Sequence, residues 1–506
     1  MPTYTYERLS AQDSSFLVFE SPTAHMHVGG LAMLEAGPLS RPAGGLDIDR
    51  IRRYIASRLP LIPRYRQRLA FVPIENHPVW VDDTHFNLHY HVRHACLPHP
   101  GDDYQLKQLI GRVMSQQLDR GKPLWELWMI EGLQQGRCAL LVKVHHCMVD
   151  GVGGVDLLTA LMTTAPQDSF EPAPEWEPRS APDGLTLLAD AVRRRTQVPF
   201  EVWRGVRGAL ADPDEAGARV VNRLTAAWQT VEAGLRVPPP TPLNAPIGPH
   251  RRFDWLSLDL AAVKEVKNRL GGTVNDVVLA TAAGGLRRFL KGRGVDAGTL
   301  DFRVVLPVSM RGVEPTAAGA NHVSAWLTSL PLGERDPRKR LSRVQALTTQ
   351  LRESQQELGA DSFVKVGEWA GSGLLSLGIR LISRLNPFNL IISNVPGPPI
   401  PLYLLGAPMI GGFPQVPLFE NQGLGIALIS YVDRLCWGFN ADWELLPDLD
   451  ALVGAVSRSF DELLAAARQE ASAVRKRGSR RRVAARTQLR VVRGDADSGT
   501  QGSARS

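Results

Sequence analysis

The sequence predicts an α/β fold in which two α/β halves are joined by a helical connector. The chain has 506 residues, of which 44% are hydrophobic and 22% are charged. This composition is typical of a globular protein, and the length exceeds that of one ordinary domain. Strand-like and helix-like patterns alternate up to about residue 165 and resume at Arg252, with two proline clusters between them. A site between the halves is therefore the default expectation.

The first half is predicted over residues 1–165 and ends on a buried strand, a histidine-containing turn and a helix. Alternating apolar residues indicate strands, whereas apolar residues three or four positions apart indicate helices. These patterns predict a strand at 27–34, helices at 46–58 and 104–118, and a strand at 139–144.

Residues 166–250 are predicted to form the connector. Prolines are concentrated at both of its ends, at 166–182 and 238–249, and such clusters mark linkers. Between them, helical spacing predicts two amphipathic helices near 185–209 and 215–235.

The second half is predicted over residues 251–470 and again contains both kinds of element. The patterns predict helices at 261–270, 275–292, 336–357, 362–385 and 449–470, and strands at 301–307, 389–393, 424–432 and 435–442.

Residues 385–419 contain no charged side chain and are long enough to span a membrane, but they include eight prolines. Proline removes backbone hydrogen bonds, so this stretch cannot cross a bilayer as one helix. We expect an apolar, extended loop that lines an apolar site or touches a membrane surface.

Residues 471–506 are predicted to be a basic, disordered tail. Residues 475–493 hold nine Arg or Lys and no acidic residue, so the net charge of +7 belongs to this tail. Such a run is attracted to anionic lipid headgroups or nucleic acid, or it serves only to keep the protein in solution. Nucleic-acid binding is disfavoured because the rest of the chain is nearly neutral and contains no recognisable nucleic-acid module.

The cysteines and the N-terminus favour a cytoplasmic protein. Four cysteines stand at scattered spacings without a C-x-x-C pair, which predicts neither a disulfide framework nor a zinc site. The first residues lack the apolar segment of a signal peptide.

The most informative pattern is His145-His146-x-x-x-Asp150-Gly151, which directly follows the predicted strand at 139–144. One interpretation is a packed histidine pair with Asp150 as the N-cap of a helix. A metal site is disfavoured, since adjacent side chains on a strand diverge and no further histidine stands at ligand spacing. The third interpretation makes one histidine a general base, because imidazole titrates near neutral pH.

Two neighbouring features have alternative readings. Cys147 beside His146 suggests a nucleophile, but consecutive side chains point apart, so Cys147 should face away from His146. Six histidines lie between His77 and His99, and His89 and His91 are expected on one strand face, which is more often solvated than metal-binding. No G-x-S-x-G elbow or phosphate-binding loop is present, which argues against an α/β-hydrolase and a P-loop protein.

Arginines gather around the end of the predicted strand at 301–307. Arg303 and Arg311 are placed where one of them could reach a carboxylate of the histidine loop or a phosphate of a ligand. An ordinary surface role is the alternative for each.

Taken in order along the chain, these motifs resemble the bacterial wax ester synthase/diacylglycerol acyltransferase family from about Leu9 to Leu464. The matching motifs are Leu9-Ser10-x-x-Asp13, Met26-His27-Val28-Gly29-Gly30, Leu118-Asp119-Arg120-x-x-Pro123-Leu124-Trp125-Glu126, the HHxxxDG motif, Asn244-x-Pro246-Ile247-Gly248 with Arg251, Asn275-Asp276, Pro307-Val308-Ser309-Met310-Arg311 and Ser393-Asn394-Val395-Pro396-Gly397-Pro398. HHxxxDG alone also occurs in other CoA-dependent acyltransferases and in condensation domains, whereas the ordered set is specific to this family.

The resemblance implies a fold of the chloramphenicol-acetyltransferase type, with two α/β sandwich domains and a tunnel between them. It implies that His146 is the base, that His145 shapes the loop, and that Asp150 and Gly151 fix the loop geometry, Asp150 through an arginine. Asn275 and Asp276 would stand on the facing wall, in the second domain.

The implied reaction transfers a long acyl chain from acyl-CoA directly to diacylglycerol, without an acyl-enzyme, a metal or another cofactor. A long-chain fatty alcohol as acceptor, giving a wax ester, is the alternative. A non-catalytic lipid-binding or droplet-coating protein is the alternative of another class. The expected location is cytoplasmic, peripheral at the inner membrane face or on lipid droplets, while the oligomeric state stays open.

Overall fold

The computed structural model describes residues 6–148, 158, 160–193, 238–309, 323–353 and 388–470. Its strands are β1 (Glu7–Arg8), β2 (His27–Glu35), β3 (Gln67–Phe71), β4 (Pro78–Asp82), β5 (Val92–Cys96), β6 (Trp125–Glu131), β7 (Arg137–His145), β8 (Arg251–Asp259), β9 (Phe302–Ser309), β10 (Val323–Leu330), β11 (Leu390–Val395), β12 (Tyr403–Leu404), β13 (Ala407–Gln415), β14 (Leu424–Tyr431) and β15 (Arg434–Asp442). Its α-helices outside the connector are α1 (Ala11–Phe19), α2 (Ile48–Arg58), α3 (Leu88–His91), α4 (Asp103–Met114), α5 (Leu260–Leu270), α6 (Val274–Gly292), α7 (Pro337–Glu353) and α8 (449–470).

Two six-stranded mixed sheets dominate the architecture. The first has the strand order β12-β13-β2-β7-β6-β5 and the second the order β10-β9-β11-β14-β15-β8. A small sheet, β1-β4-β3, accompanies the first. The α/β class and the two sheet-rich halves predicted from the sequence are therefore confirmed.

The first sheet is covered on both faces. Ala32 and Leu34 of β2 pack in one apolar cluster with α2, while Leu31 and Met33 pack in another with α4. Strand β7, at the centre, is buried along almost its whole length. A strand buried on both sides reads as a continuous apolar run, which is why 139–144 was recognisable.

The second sheet carries its helices on one face. Side chains from α5, α6, α7 and α8 share a single apolar cluster with β9, β11, β14 and β15. From the opposite face, Ile429 and Cys436 pack with α4 and with Phe413 of β13. The two halves are thus held together by apolar contact between the second sheet and the first half.

Strands β12 and β13 come from the second half of the chain but complete the first sheet. Strand β13 pairs antiparallel with β2, from Met409 opposite Leu34 to Gln415 opposite Gly29. The Tyr431 hydroxyl fastens this crossover, because it accepts the Leu402 N–H at 2.9 Å and donates to the Met409 carbonyl at 3.0 Å.

The expectation that 385–419 is wholly an extended loop is therefore wrong for 407–415. Two prolines and two adjacent glycines interrupt the apolar alternation of β13, and these residues are poor strand formers, so its residues carry no strand pattern.

Most other predicted elements are confirmed within a few residues. Helix α4 ends at Met114 instead of 118, because Ser115 caps it and the chain turns there. His89 and His91 are not on a strand face but in the short helix α3, where His91 is buried and stacks on Trp125. Of the predicted connector helices only a helical segment at 184–193 belongs to the described residues, and the predicted helix at 362–385 lies outside them.

Membrane-spanning character is absent from the helices that the structure describes, since none is both long and apolar enough to cross a bilayer. The predicted domain boundaries and the tail, 471–506, stay predictions.

Glycine is required where the crossover strand presses on the second sheet. A Cβ atom on Gly438 of β15 would lie 1.8 Å from the Pro414 carbonyl oxygen of β13. We expect Gly438→Ala to lower the free energy of unfolding by about 1–3 kcal/mol through overpacking. Gly292→Ala, at a helix end with no atom within 4 Å of the added methyl group, is the control and should change it by less than about 1 kcal/mol. Urea titration of both variants measures the difference, and equal stabilities would contradict this view of the contact.

Candidate active site

His146 stands where the central strand β7 leaves the sheet. It begins a one-turn 3-10 helix, His146–Met148, directly after the strand. Its backbone N–H donates to the Met26 carbonyl at 2.7 Å, next to the start of β2. Because β2 and β7 are paired, with His27 opposite His145, the position of the turn is set by the sheet.

The His146 ring stacks on Phe16 of α1, with the ring centres 3.8 Å apart and the planes inclined by 17°. Helix α1 is oriented by its N-cap, because the Ser10 side chain accepts the Asp13 N–H and donates to the Asp13 carboxylate. The Leu9-Ser10-x-x-Asp13 motif therefore has a local physical role: it caps the helix that supplies the surface under His146.

The second half also reaches this place. Met26 and Leu418 belong to one apolar cluster, and Phe16 and Phe419 pack against it. Leu418 and Phe419 come from the loop after β13. The end of the 385–419 stretch therefore packs in the apolar cluster that also contacts Phe16, the residue stacked on the His146 ring. Both halves of the chain contribute to this cluster.

Burial is the largest cause of a His146 pKa that is lowered to about 4. The side chain nevertheless keeps partial solvent exposure, and its Nδ1 atom is buried without a hydrogen-bond partner in the described part of the chain. At neutral pH the ring is uncharged, which is the form that can accept a proton.

His145 is fully enclosed and is held by its backbone surroundings. Its Nδ1 atom accepts the Cys147 N–H at 3.1 Å, and its Nε2 atom lies 3.7 Å from a Glu20 carboxylate oxygen. The side chain of Cys147 packs among apolar residues such as Leu118 and Trp80, and burial raises its pKa well above the usual range. Cys147 is therefore a protonated, buried thiol, a poor nucleophile.

Glu20 is a buried carboxylate that sequence reasoning missed. One of its oxygens, Oε2, accepts two hydrogen bonds from Arg120, and the other, Oε1, lies 3.8 Å from His27 Nε2. Burial alone would raise the pKa of this carboxyl, but His145 and Arg120 together hold it below its usual value. No spacing rule links Glu20 with Arg120, which lies 100 residues away, so only the fold brings them together.

Asn275 and Asp276 begin helix α6 in the second half. Asp276 is buried and completes a capping box with Thr273, while its other oxygen accepts the Thr348 hydroxyl of α7 at 2.7 Å. Asn275 Oδ1 accepts a 3.3 Å hydrogen bond from Asn394. The two motifs that contain these asparagines therefore meet, and Asp276 has a structural role in holding α6 against α7.

Several predicted site residues lie outside the described residues, namely Asp150, Gly151 and Arg311. Arg303 is described and pairs with Asp301 on the same strand edge at 3.0 Å. Among the described residues no group of three or more His, Cys, Asp or Glu side chains is arranged to hold a metal ion.

The chain matches both sequence profiles of one family. The wax ester synthase/diacylglycerol acyltransferase catalytic domain matches residues 9–278, and the C-terminal domain of the same family matches residues 319–464.

Individual relatives agree with these profiles. A Mycobacterium tuberculosis protein provisionally named a diacylglycerol O-acyltransferase is 33% identical over 476 residues, covering 90% of each chain. Another from that organism, tgs1, with a similarly provisional name, is 30% identical and covers 93% of this chain and 98% of its own.

Among solved structures, the wax ester synthase/diacylglycerol acyltransferase of Marinobacter aquaeolei VT8 superposes with a TM-score of 0.63 at 27% identity, over 91% of this chain and 99% of that one. A starter condensation domain of rhizomide synthetase superposes with a TM-score of 0.55 at 14% identity, over 92% and 94% of the two chains, and so shares the fold.

Proposed function

Because the chain belongs to the wax ester synthase/diacylglycerol acyltransferase family, we propose that it transfers a long acyl chain from acyl-CoA to the hydroxyl of diacylglycerol, with His146 as general base. That the protein is an acyltransferase follows from the family. The choice of donor, acceptor and base is our proposal. The observation that carries it is the uncharged His146 ring, which stacks on Phe16 beside an apolar cluster to which both halves contribute.

In the proposed reaction His146 Nε2 takes the proton of the acceptor hydroxyl while the hydroxyl oxygen attacks the thioester carbonyl. A tetrahedral intermediate forms, the carbon–sulfur bond breaks, and the imidazolium returns the proton to the departing CoA thiolate. The acyl group passes directly from the CoA sulfur to the acceptor oxygen, so no acyl-enzyme forms. Because a thiolate leaves readily, neither a metal nor another cofactor is needed. The buried, protonated thiol of Cys147 supports direct transfer over a covalent step.

The remaining predicted residues have supporting roles in the proposal. Asp150 and Gly151 would set the loop after His146, and Asn275 would face the reacting carbonyl as a candidate oxyanion donor beside a backbone N–H. Arg311 would contact the loop or the phosphates of CoA. The hydrogen bond between Asn394 and Asn275 supports a fixed orientation of that amide.

We propose diacylglycerol as the preferred acceptor because the Mycobacterium tuberculosis relatives are named for it. A fatty alcohol is the second candidate, since the name of the Marinobacter aquaeolei protein includes wax ester synthase. The chemistry is the same for both acceptors, so the shape of the apolar pocket decides between them.

We also propose that the protein contacts a lipid surface through the basic tail and through exposed apolar side chains. Ile400, Ile410 and Val432 are all more than one-third exposed. They belong to one corner of the fold, because the Val432 N–H donates to the Pro398 carbonyl and Tyr431 joins Leu402 to Met409. A lipid acceptor is delivered most directly from such a contact.

The role of His146 is tested with palmitoyl-CoA and dioleoylglycerol as substrates, by measuring CoA release and triacylglycerol. We expect His146→Ala to lower kcat by about 10²–10⁴-fold, the usual contribution of a general base. Cys147→Ala is the control and should keep nearly normal turnover. A competition arm with hexadecanol should give more triacylglycerol than wax ester. Normal turnover in His146→Ala, or an acyl group trapped on Cys147, would contradict the proposed mechanism.

The lipid contact is tested at Val432, which adopts a left-handed backbone conformation with φ 51°. A β-branched residue is unfavourable there by about 1–2 kcal/mol, whereas Asn tolerates it. Val432→Asn should therefore stabilise the fold and yet weaken binding to anionic vesicles by about fivefold, through lost apolar burial.

The matched control is Ile74→Asn in the turn between β3 and β4. Ile74 is also β-branched, 92% exposed and left-handed, with φ 66°, but belongs to the small sheet. This variant should be stabilised in the same way and bind vesicles normally. Equal vesicle affinities for the two variants would remove the proposed contact. Vesicle flotation measures the affinities and thermal unfolding the stabilities.

A further inference from the structure

We propose that Glu20 is a positioning residue for the transfer reaction: its carboxylate keeps the His145 proton on Nε2, so that Nδ1 can hold the turn that carries His146. The inference rests on the proposed function of His146. Glu20 lies outside the motifs that the chain shares with the family.

The hydrogen bonds of His145 define its tautomer. Its Nδ1 atom accepts the backbone N–H of Cys147 at 3.1 Å, and a ring nitrogen that accepts a hydrogen bond carries no proton. The proton of the neutral ring must then lie on Nε2. That atom points toward Glu20, whose Oε2 atom is 3.7 Å away.

Glu20 acts on His145 and not on His27. Both rings lie within 4 Å of the carboxylate. His27 Nε2, however, accepts the Leu118 N–H at 3.4 Å and so has no proton to offer there. His145 Nε2–H is the donor group that faces the Glu20 carboxylate. Because the two atoms are 3.7 Å apart, the contact is electrostatic and is not a direct hydrogen bond.

The other tautomer of His145 would leave a buried backbone N–H without an acceptor. A proton on Nδ1 would face the Cys147 N–H, and Cys147 is only 3% exposed, so this backbone donor would be left buried and unsatisfied. Cys147 is the second residue of the turn that begins at His146. A shift of this turn displaces the base, and misplacement by about 1 Å can lower a rate by about 10²-fold.

Arg120 completes the arrangement by balancing the charge. It binds the same Glu20 oxygen and also donates to the Leu17 carbonyl of α1 at 3.1 Å. The carboxylate is therefore fixed at the end of α1, the helix that also carries Phe16 under the His146 ring. Glu20 would thus support the strand side of the histidine loop, whose geometry the family resemblance also assigns to Asp150.

The tautomer is measured first in the unaltered protein, by long-range proton–nitrogen correlation spectra of histidine-labelled samples, with His145 assigned through His145→Gln. We expect a neutral ring protonated on Nε2. A proton on Nδ1 would overturn the proposal without any substitution at Glu20, so the test stands even if an altered protein fails to fold.

The kinetic test compares Glu20→Gln with Glu126→Gln. Glu126 is also a buried carboxylate of the first half paired with an arginine, Arg93, at 2.9 Å, and it is the matched control for a lost buried ion pair. We expect Glu20→Gln to lower kcat by about tenfold to a hundredfold, with nearly unchanged KM for both substrates, and to shift His145 toward the Nδ1–H form. Glu20→Asp, which keeps the charge, should recover part of the rate.

Equal kcat values for Glu20→Gln and Glu126→Gln, or a rate loss without a change of tautomer, would overturn the proposal. His146→Ala, measured beside them, separates the two levels. An inactive His146→Ala with a fully active Glu20→Gln rejects the positioning role alone, whereas an active His146→Ala rejects the proposed function itself.

Discussion

The site depends on a constraint imposed by the central strand β7, which must deliver two consecutive histidines from a buried position at the end of a sheet. Adjacent residues cannot both point into one space. His145 stays enclosed with the sheet, and the chain turns at once so that the His146 ring stacks on Phe16. Two hydrogen bonds fix this turn: the Met26 carbonyl accepts the His146 N–H, and His145 Nδ1 accepts the Cys147 N–H. The apolar surroundings that hold the turn also remove water, and this desolvation keeps the imidazole uncharged.

Both halves contribute to the apolar cluster that contacts Phe16, the residue stacked on His146. Helix α1 supplies Phe16, and the loop after β13 supplies Leu418 and Phe419 to the same apolar cluster. Strand β13 reaches that position because it has left the second half and joined the first sheet beside β2. This crossover links the two sheets covalently and by hydrogen bonds, so a change in their relative position would be felt at the histidine turn. For the proposed transfer between two lipid-like substrates, apolar walls from both halves are suited to exclude water from the thioester.

Regular elements were predictable from the sequence because burial leaves a periodic pattern. The run 139–144 and helix α6 were found within a few residues for this reason. Strand β13 was missed because prolines and glycines erase its alternation, and only pairing with β2 makes it a strand. His146 could be identified from its motif, but Glu20 could not, since its partners Arg120 and His145 are distant in sequence and meet only in the fold. Asp276 shows the opposite case: its motif was recognised, and the structure assigns it to helix capping.

The central claim is that the base works as a neutral, desolvated imidazole, and the pH dependence of kcat/KM for the free enzyme tests this most directly. Protonation inactivates the base, so activity is retained above the folded-state pKa and lost as pH falls through it. Measured by brief pH jumps, with circular dichroism to verify that the fold persists, kcat/KM should stay level from neutral pH to about one unit above the acid limb, whose midpoint should be about 4. An acid limb centred on the ordinary histidine value of 6.5 would contradict the account, because the ring would then be an ordinary solvated one.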